Sequence, residues 1–220
     1  MHIYECPDGK LVPSVTTILQ VLGSKEINKW ANRLGFRHID SETELNRLAD
    51  NGTLMHSVVQ HIVDPSLSET PVIFKDKFEE EYYLKLGEKF SLMIKDYSYD
   101  TIFTEKTFVS SSLGYGGTVD WYASMSGFMM INDFKSSKKV NMKHLLQIGG
   151  YYNLMSENGY HVDGGSIILV NEKISTLYPI NLESIVKLGE IFNGIYYVYQ
   201  NVIDKMIPYD DDLLSKIKNK

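Results

Sequence analysis

Residues 115–135 constrain this chain more than any other stretch. Tyr115 to Ala123 is rich in aromatic and β-branched residues, Ser126-Gly127 is a turn signal, and Phe128 to Lys135 passes from apolar to charged. Two such runs joined by a short turn form an antiparallel hairpin, which brings Asp120 near Asp133. Residues two apart on a strand share a face, so Ile131, Asp133 and Lys135 stand in one row. Taken alone, an Asp-x-Lys tripeptide is short enough to be a surface ion pair. Its surroundings set it apart.

Two carboxylates and a lysine at the ends of neighbouring strands suit hydrolysis of a phosphodiester. Its transition state gains negative charge, which magnesium or manganese offsets when carboxylates hold the ion and leave positions for water and a phosphate oxygen. Asp120 and Asp133 are the candidate carboxylates. Lys135, a compact ammonium, is placed to stabilise the developing charge or orient the attacking water. Asn141 to Glu157 reads as an amphipathic helix on which Gln147 and Tyr151 lie one turn apart. Gly52-Thr-Leu-Met-His56 reads as the opening of a helical stretch to about Val63, and its imidazole is a further candidate ligand. His61 is rotated from His56 by about 140° on such a helix and is not a co-ligand.

Gly-x-x-x-His, Gly-x-x-Asp, Asp-x-Lys followed by serine, and Gln-x-x-x-Tyr together resemble the RecB-like branch of the PD-(D/E)XK nucleases, over about residues 50–155. The opening Val12-Pro-Ser-Val-Thr-Thr-Ile-Leu-Gln20 is also similar to phage-type exonucleases and the mitochondrial genome-maintenance exonuclease. The resemblance implies an αβββαβ core with a mixed central sheet. It implies a magnesium or manganese ion held by His56, Asp120, Asp133 and the Phe134 carbonyl, with Lys135 catalytic. Gln147, Tyr151, Ser136 and Lys138 would then serve the DNA substrate. The implied activity is exonucleolytic, on single-stranded ends. An endonuclease or junction resolvase with the same site, and a catalytically silent DNA-binding module, are the other readings. Asp133 stands where many relatives have glutamate, one methylene longer. Glu105 occupies a strand position where some relatives carry an acid, although an exposed strand glutamate reads equally well. Relatives with an iron–sulfur cluster use four cysteines; this chain has only Cys6, so no cluster is expected.

A chain of 220 residues with 43% hydrophobic content can bury one substantial core. The expected class is therefore α/β in a single domain, 1–220, with 1–97 mainly a helical elaboration and 98–220 the catalytic sheet core and C-terminal helix. Within it, residues 2–12 read as a hairpin, Ser14 to Val63 as several helices, and Ser41-Glu-Thr-Glu44 as a capping box. Lys75 to Tyr97 reads as a long helix with Phe78, Tyr82, Leu86, Phe90 and Met93 near one face. Strands follow at 101–109, 115–124 and 128–135, then 165–170 and 174–180. A last helix runs from Leu182 to Lys205, on which Tyr196, Tyr197 and Tyr199 read as packing residues rather than base-stacking ones. No apolar run is long enough to span a bilayer and the N-terminus lacks a signal-peptide pattern, so the expected location is cytoplasmic, in the host if the chain is of phage origin. The net charge of −6 is unusual for a DNA-binding protein, but Lys135, Lys138, Lys139 and Lys143 cluster beside the motif helix. Weak overall attraction points to salt-sensitive binding and to a replication or recombination partner.

Overall fold

The computed structural model describes residues 3–23, 25–67 and 71–203. A short antiparallel hairpin pairs β1 (Ile3–Glu5) with β2 (Leu11–Pro13). Helix α1 (Val15–Ile18) follows, capped by Ser14, whose Oγ accepts the Thr17 N–H at 2.9 Å. Three longer helices come next: α2 (Lys25–Phe36), α3 (Ser41–Val63) and α4 (Lys77–Ile94). The remainder runs β3 (Tyr99–Ser110), β4 (Tyr115–Met125), β5 (Phe128–Lys135), α5 (Met142–Glu157), β6 (Gly164–Val170), β7 (Ser175–Asn181) and α6 (Leu182–Val198), ending in a π turn, Tyr199–Ile203. Positions 204 and 205 of the expected last helix lie outside the described residues.

Strands β3 to β7 form one sheet in sequence order, with β5 and β6 parallel and the other neighbours antiparallel. The protein is therefore α/β, with a mixed five-stranded sheet. Helices cover both faces. Val15, Ile148, Leu154, Ile185 and Phe192 pack on one, from α1, α5 and α6. Met55, Val59, Leu86 and Phe90 pack on the other, from α3 and α4. Covered twice, β6 is buried along its whole length, which is why Gly164-Gly-Ser-Ile-Ile-Leu-Val170 shows no polar alternation. Among the described residues, no helix is long and apolar enough to cross a membrane.

Three local expectations change. Asp40, rather than Ser41, caps α3: its carboxylate accepts the Thr43 N–H at 2.7 Å, and Glu44 pairs with Arg47 instead of closing a capping box. Either side chain can cap, and the extended backbone falls at Asp40. Gly52 sits inside α3 and does not open it. On α4 the buried face is Tyr83, Leu86, Gly87, Phe90 and Ile94, while Phe78 is 84% exposed. The stripe is displaced because a Cβ on Gly87 would stand only 3.1 Å from Val58 Cγ1, so the bare glycine lets α3 approach that side.

Helices α5 and α6 cross at a similar contact. A Cβ at Gly149 would lie 2.4 Å from the Leu188 carbonyl carbon and 2.6 Å from the Gly189 nitrogen, both backbone atoms that cannot swing aside. Gly149→Ala is expected to force the helices apart and cost about 3 kcal/mol. A thermal melt would then fall by roughly 6–12 °C. An unchanged melt would show that the crossing is loose.

Candidate metal centre

The site begins with strand register. Thr104 pairs with Trp121 and Lys106 with Val119, which sets Glu105 opposite Asp120 across β3 and β4. On the other side Trp121 pairs with Asn132, and one step further Asp120 faces Asp133. There the ladder opens, and Asp120 Oδ2 accepts the Phe134 N–H at 2.8 Å. Three acids thus lie abreast on neighbouring strands.

A break in alternation turns two of them toward α3. Val119 and Tyr122 pack into the same core although three residues apart, whereas Trp121 and Ala123 pack into the other. Phe103 and Phe108, five apart on β3, also share a side. Glu105 lies within that reversal and has φ 46, a left-handed backbone that costs a residue with a Cβ on the order of 1–2 kcal/mol. The result is a compact group. His56, Glu105 and Asp120 each offer a ligand atom within 4.8 Å of the others.

His56 is oriented from behind. Its Nε2 lies 2.9 Å from the Phe134 carbonyl oxygen, so donation there leaves Nδ1 as the acceptor facing the carboxylates. Nδ1 is 3.6 Å from Glu105 Oε1 and 3.7 Å from Asp120 Oδ2, too far for good hydrogen bonds and suited to an ion between them. Burial works against the imidazolium, but Glu105 and Asp120 outweigh it and raise the His56 pKa. Burial and the neighbouring Asp133 push the Asp120 pKa up to about 7.

Asp133 is fully buried, and Lys135 Nζ approaches its Oδ2 to 2.6 Å. That contact is a close ion pair, and among the described residues no other group donates to either carboxylate oxygen. Burial lowers the Lys135 pKa, yet Asp133 and Asp120 pull it above its ordinary value. Gln147 Nε2 donates to the Tyr151 hydroxyl at 2.7 Å, and both side chains are buried. Burial and then the charges of Asp120 and Asp133 drive the Tyr151 pKa well above its ordinary value. A Cβ at Gly117 would meet Tyr151 Cε1 at 2.7 Å, which explains the glycine of Gly-x-x-Asp.

Most of the expected residues come together in space. Glu105, an open question from sequence, joins His56 and Asp120, while Asp133 stands beside Lys135. The Phe134 carbonyl serves His56. Ser136 and Lys138 are exposed on the loop after β5. His61 turns away, its Nδ1 lying 2.7 Å from the Ser57 carbonyl oxygen.

Sequence reasoning missed two neighbours. His144 caps α5 with Asn141, and burial and the Lys135 charge push its pKa down to about 4, which keeps it neutral. Its place three residues before Gln147 was the available signal. Lys173, in the β6–β7 turn, is brought to the lysine loop because Asn171 Nδ2 donates to the Ser137 carbonyl at 2.9 Å. No local pattern announces it. Among the described residues, Lys138, Lys139, Lys143 and Lys173 form no ion pair.

A cavity of about 680 Å³ lies elsewhere, between α3 and α4, with Val58, Ile62, Leu84 and Leu92 among its walls. Its walls are mostly apolar, with His61 and Glu88 among them, and His56, Glu105, Asp120, Asp133 and Lys135 are not.

Comparison with protein-family models finds no match, and comparison with curated proteins finds none. Among solved structures, the chain is similar to the crystal structure of SSO0001, at 17% identity and a TM-score of 0.30, over 63% of this chain and 71% of that one. So loose a superposition assigns neither fold family nor function.

Proposed function

We propose that this chain is a metal-dependent deoxyribonuclease of the RecB-like PD-(D/E)XK type that digests single-stranded DNA from an end. The observation that carries the reading is the grouping of His56, Glu105 and Asp120 beside the buried Asp133–Lys135 pair. The element order from α4 through β6 is compatible with an αβββαβ core.

The donor set fits magnesium or manganese. Imidazole and carboxylate oxygen suit these ions, and Asp133, buried with Lys135 on its Oδ2, has its Oδ1 left as a further acceptor. His56, Glu105, Asp120 and Asp133 would hold the ion, which when bound neutralises phosphate charge and lowers the pKa of a bound water. Asp120 keeps β5 in place through the Phe134 N–H. Lys135 directs its ammonium to a phosphate oxygen or the attacking water, and Gln147 and Tyr151 hold the wall behind. Lys138, Lys139, Lys143 and Lys173 draw the strand's phosphates to this side of an otherwise acidic protein. A replication or recombination protein that delivers the strand would offset the weak overall attraction.

The test is digestion of end-labelled linear single-stranded DNA beside a closed circle of the same sequence, with magnesium or manganese. Loss of the linear strand alone supports the proposal. Cutting of the circle replaces it with an endonuclease, and no cutting of any DNA leaves a silent binding module. Glu105→Gln is expected to weaken metal binding by at least about tenfold in calorimetry, the scale on which removing even a supporting group acts. Unchanged affinity would return Glu105 to an ordinary strand residue.

A further inference from the structure

We propose that Gly52 is the point where the sugar of the nucleotide next to the cut bond lies against α3, an inference that rests on the nuclease reading. A glycine inside a helix is less stable than alanine there, and Gly52, unlike the equally open Gly194 of α6, lines a cleft beside His56. The usual reasons for a helical glycine fail. Gly52 is not among the residues with positive φ, and it is distant from both ends of α3. Nor does packing demand it: among the described residues, an added Cβ would have only Ser136 Oγ within 4 Å, at 4.0 Å. Gly87 on α4 is the contrast, since its Cβ would press on Val58 and Ile62.

What lies over Gly52 is a cleft of about 370 Å³. Ala49, Gly52, Thr53 and Ser57 form its α3 wall, and His56 and Glu105 line it as well. Gly52 and His56 are four residues apart and so share a helix face. The hydroxyls on this wall are already used, Thr53 Oγ1 donating to the Ala49 carbonyl at 3.2 Å and Ser57 Oγ to the Thr53 carbonyl at 3.1 Å. Among the described residues, no lysine or arginine lines the cleft. A second phosphate would therefore face Glu105 with no cation to hold it, whereas an uncharged sugar fits a neutral, shallow wall. With the phosphate at the His56 group, the adjoining sugar crosses Gly52. A methyl group there would hold it away from its productive position.

The experiment compares Gly52→Ala with Gly194→Ala, a change at an exposed α6 glycine that also has open space around it. Both are expected to melt higher than wild type, by about 2–4 °C. Only Gly52→Ala is expected to lose kcat/KM on a single-stranded oligonucleotide, by at least about tenfold, because small misplacements of a reacting group are costly. Its melt should still respond to manganese as wild type does. Full kcat/KM in Gly52→Ala, with wild type active, overturns the inference and leaves the nuclease reading standing. Loss of the manganese response in Gly52→Ala would trace the defect to His56 and overturn it too. A wild-type protein that cuts no nucleic acid removes the nuclease reading and this inference together.

Discussion

On the proposed nuclease reading, Lys135→Ala is expected to lower DNA cleavage by about 10²–10³-fold, the scale of losing one positioned charge at a transition state. It should also weaken the metal-free fold. Asp133 has no exposed surface, and among the described residues the Lys135 ammonium is the one group that answers its charge. Removing the lysine strands a buried charge, which costs about 3–5 kcal/mol unless the carboxyl takes up a proton. The melt should fall by roughly 10 °C. Lys135→Ala combined with Asp133→Asn separates the two effects, because the amide carries no charge to strand. The double variant should recover most of the stability and remain inactive. Rates measured well below both melting transitions keep lost chemistry distinct from lost fold. Wild-type cleavage by Lys135→Ala would remove the lysine from the mechanism, and an unchanged melt would mean that it does not neutralise Asp133.

The parts of this site that follow a local period are legible in the sequence. Ile131, Asp133 and Lys135 fall on one row because alternation on β5 is unbroken, and Ser126-Gly127 sets the hairpin. Glu105 is different. Its approach to His56 depends on the reversal between Phe103 and Phe108 and on a left-handed backbone that glutamate rarely adopts. The face of α4 is hidden for another reason. That helix has apolar residues on several sides, and the α3 contact at Gly87 decides which are buried. Lys173 is remote in sequence from the lysine loop, and a side-chain to backbone bond from Asn171 joins them. Such features belong to tertiary packing, which no single window of the chain contains.

On the proposed metal-centre reading, Asp120→Asn is expected to abolish the stabilisation that manganese would give the wild type, yet to raise the stability of the metal-free protein at alkaline pH. Burial and Asp133 raise the Asp120 pKa from 3.8 to about 7, so between those values the folded protein keeps a proton that the unfolded chain has lost. The stability this group contributes is complete below the ordinary carboxylate range and is lost as pH rises through about 7. Asparagine carries no charge and still offers an oxygen to the Phe134 N–H. At pH 8 without metal the variant should therefore melt above wild type, and the gap should close toward pH 5. Manganese at about a hundred times its dissociation constant should stabilise wild type by roughly 2.7 kcal/mol, or about 5–10 °C. The variant should gain little. A full manganese shift in Asp120→Asn would exclude Asp120 as a ligand. A metal-free variant that melts below wild type at pH 8 would show that the bond to Phe134 requires the carboxylate's charge. Together the two melts separate what Asp120 does for the fold from what it does for the ion: an uncompensated charge is a liability to the empty site, and holding a cation is the function that would justify it.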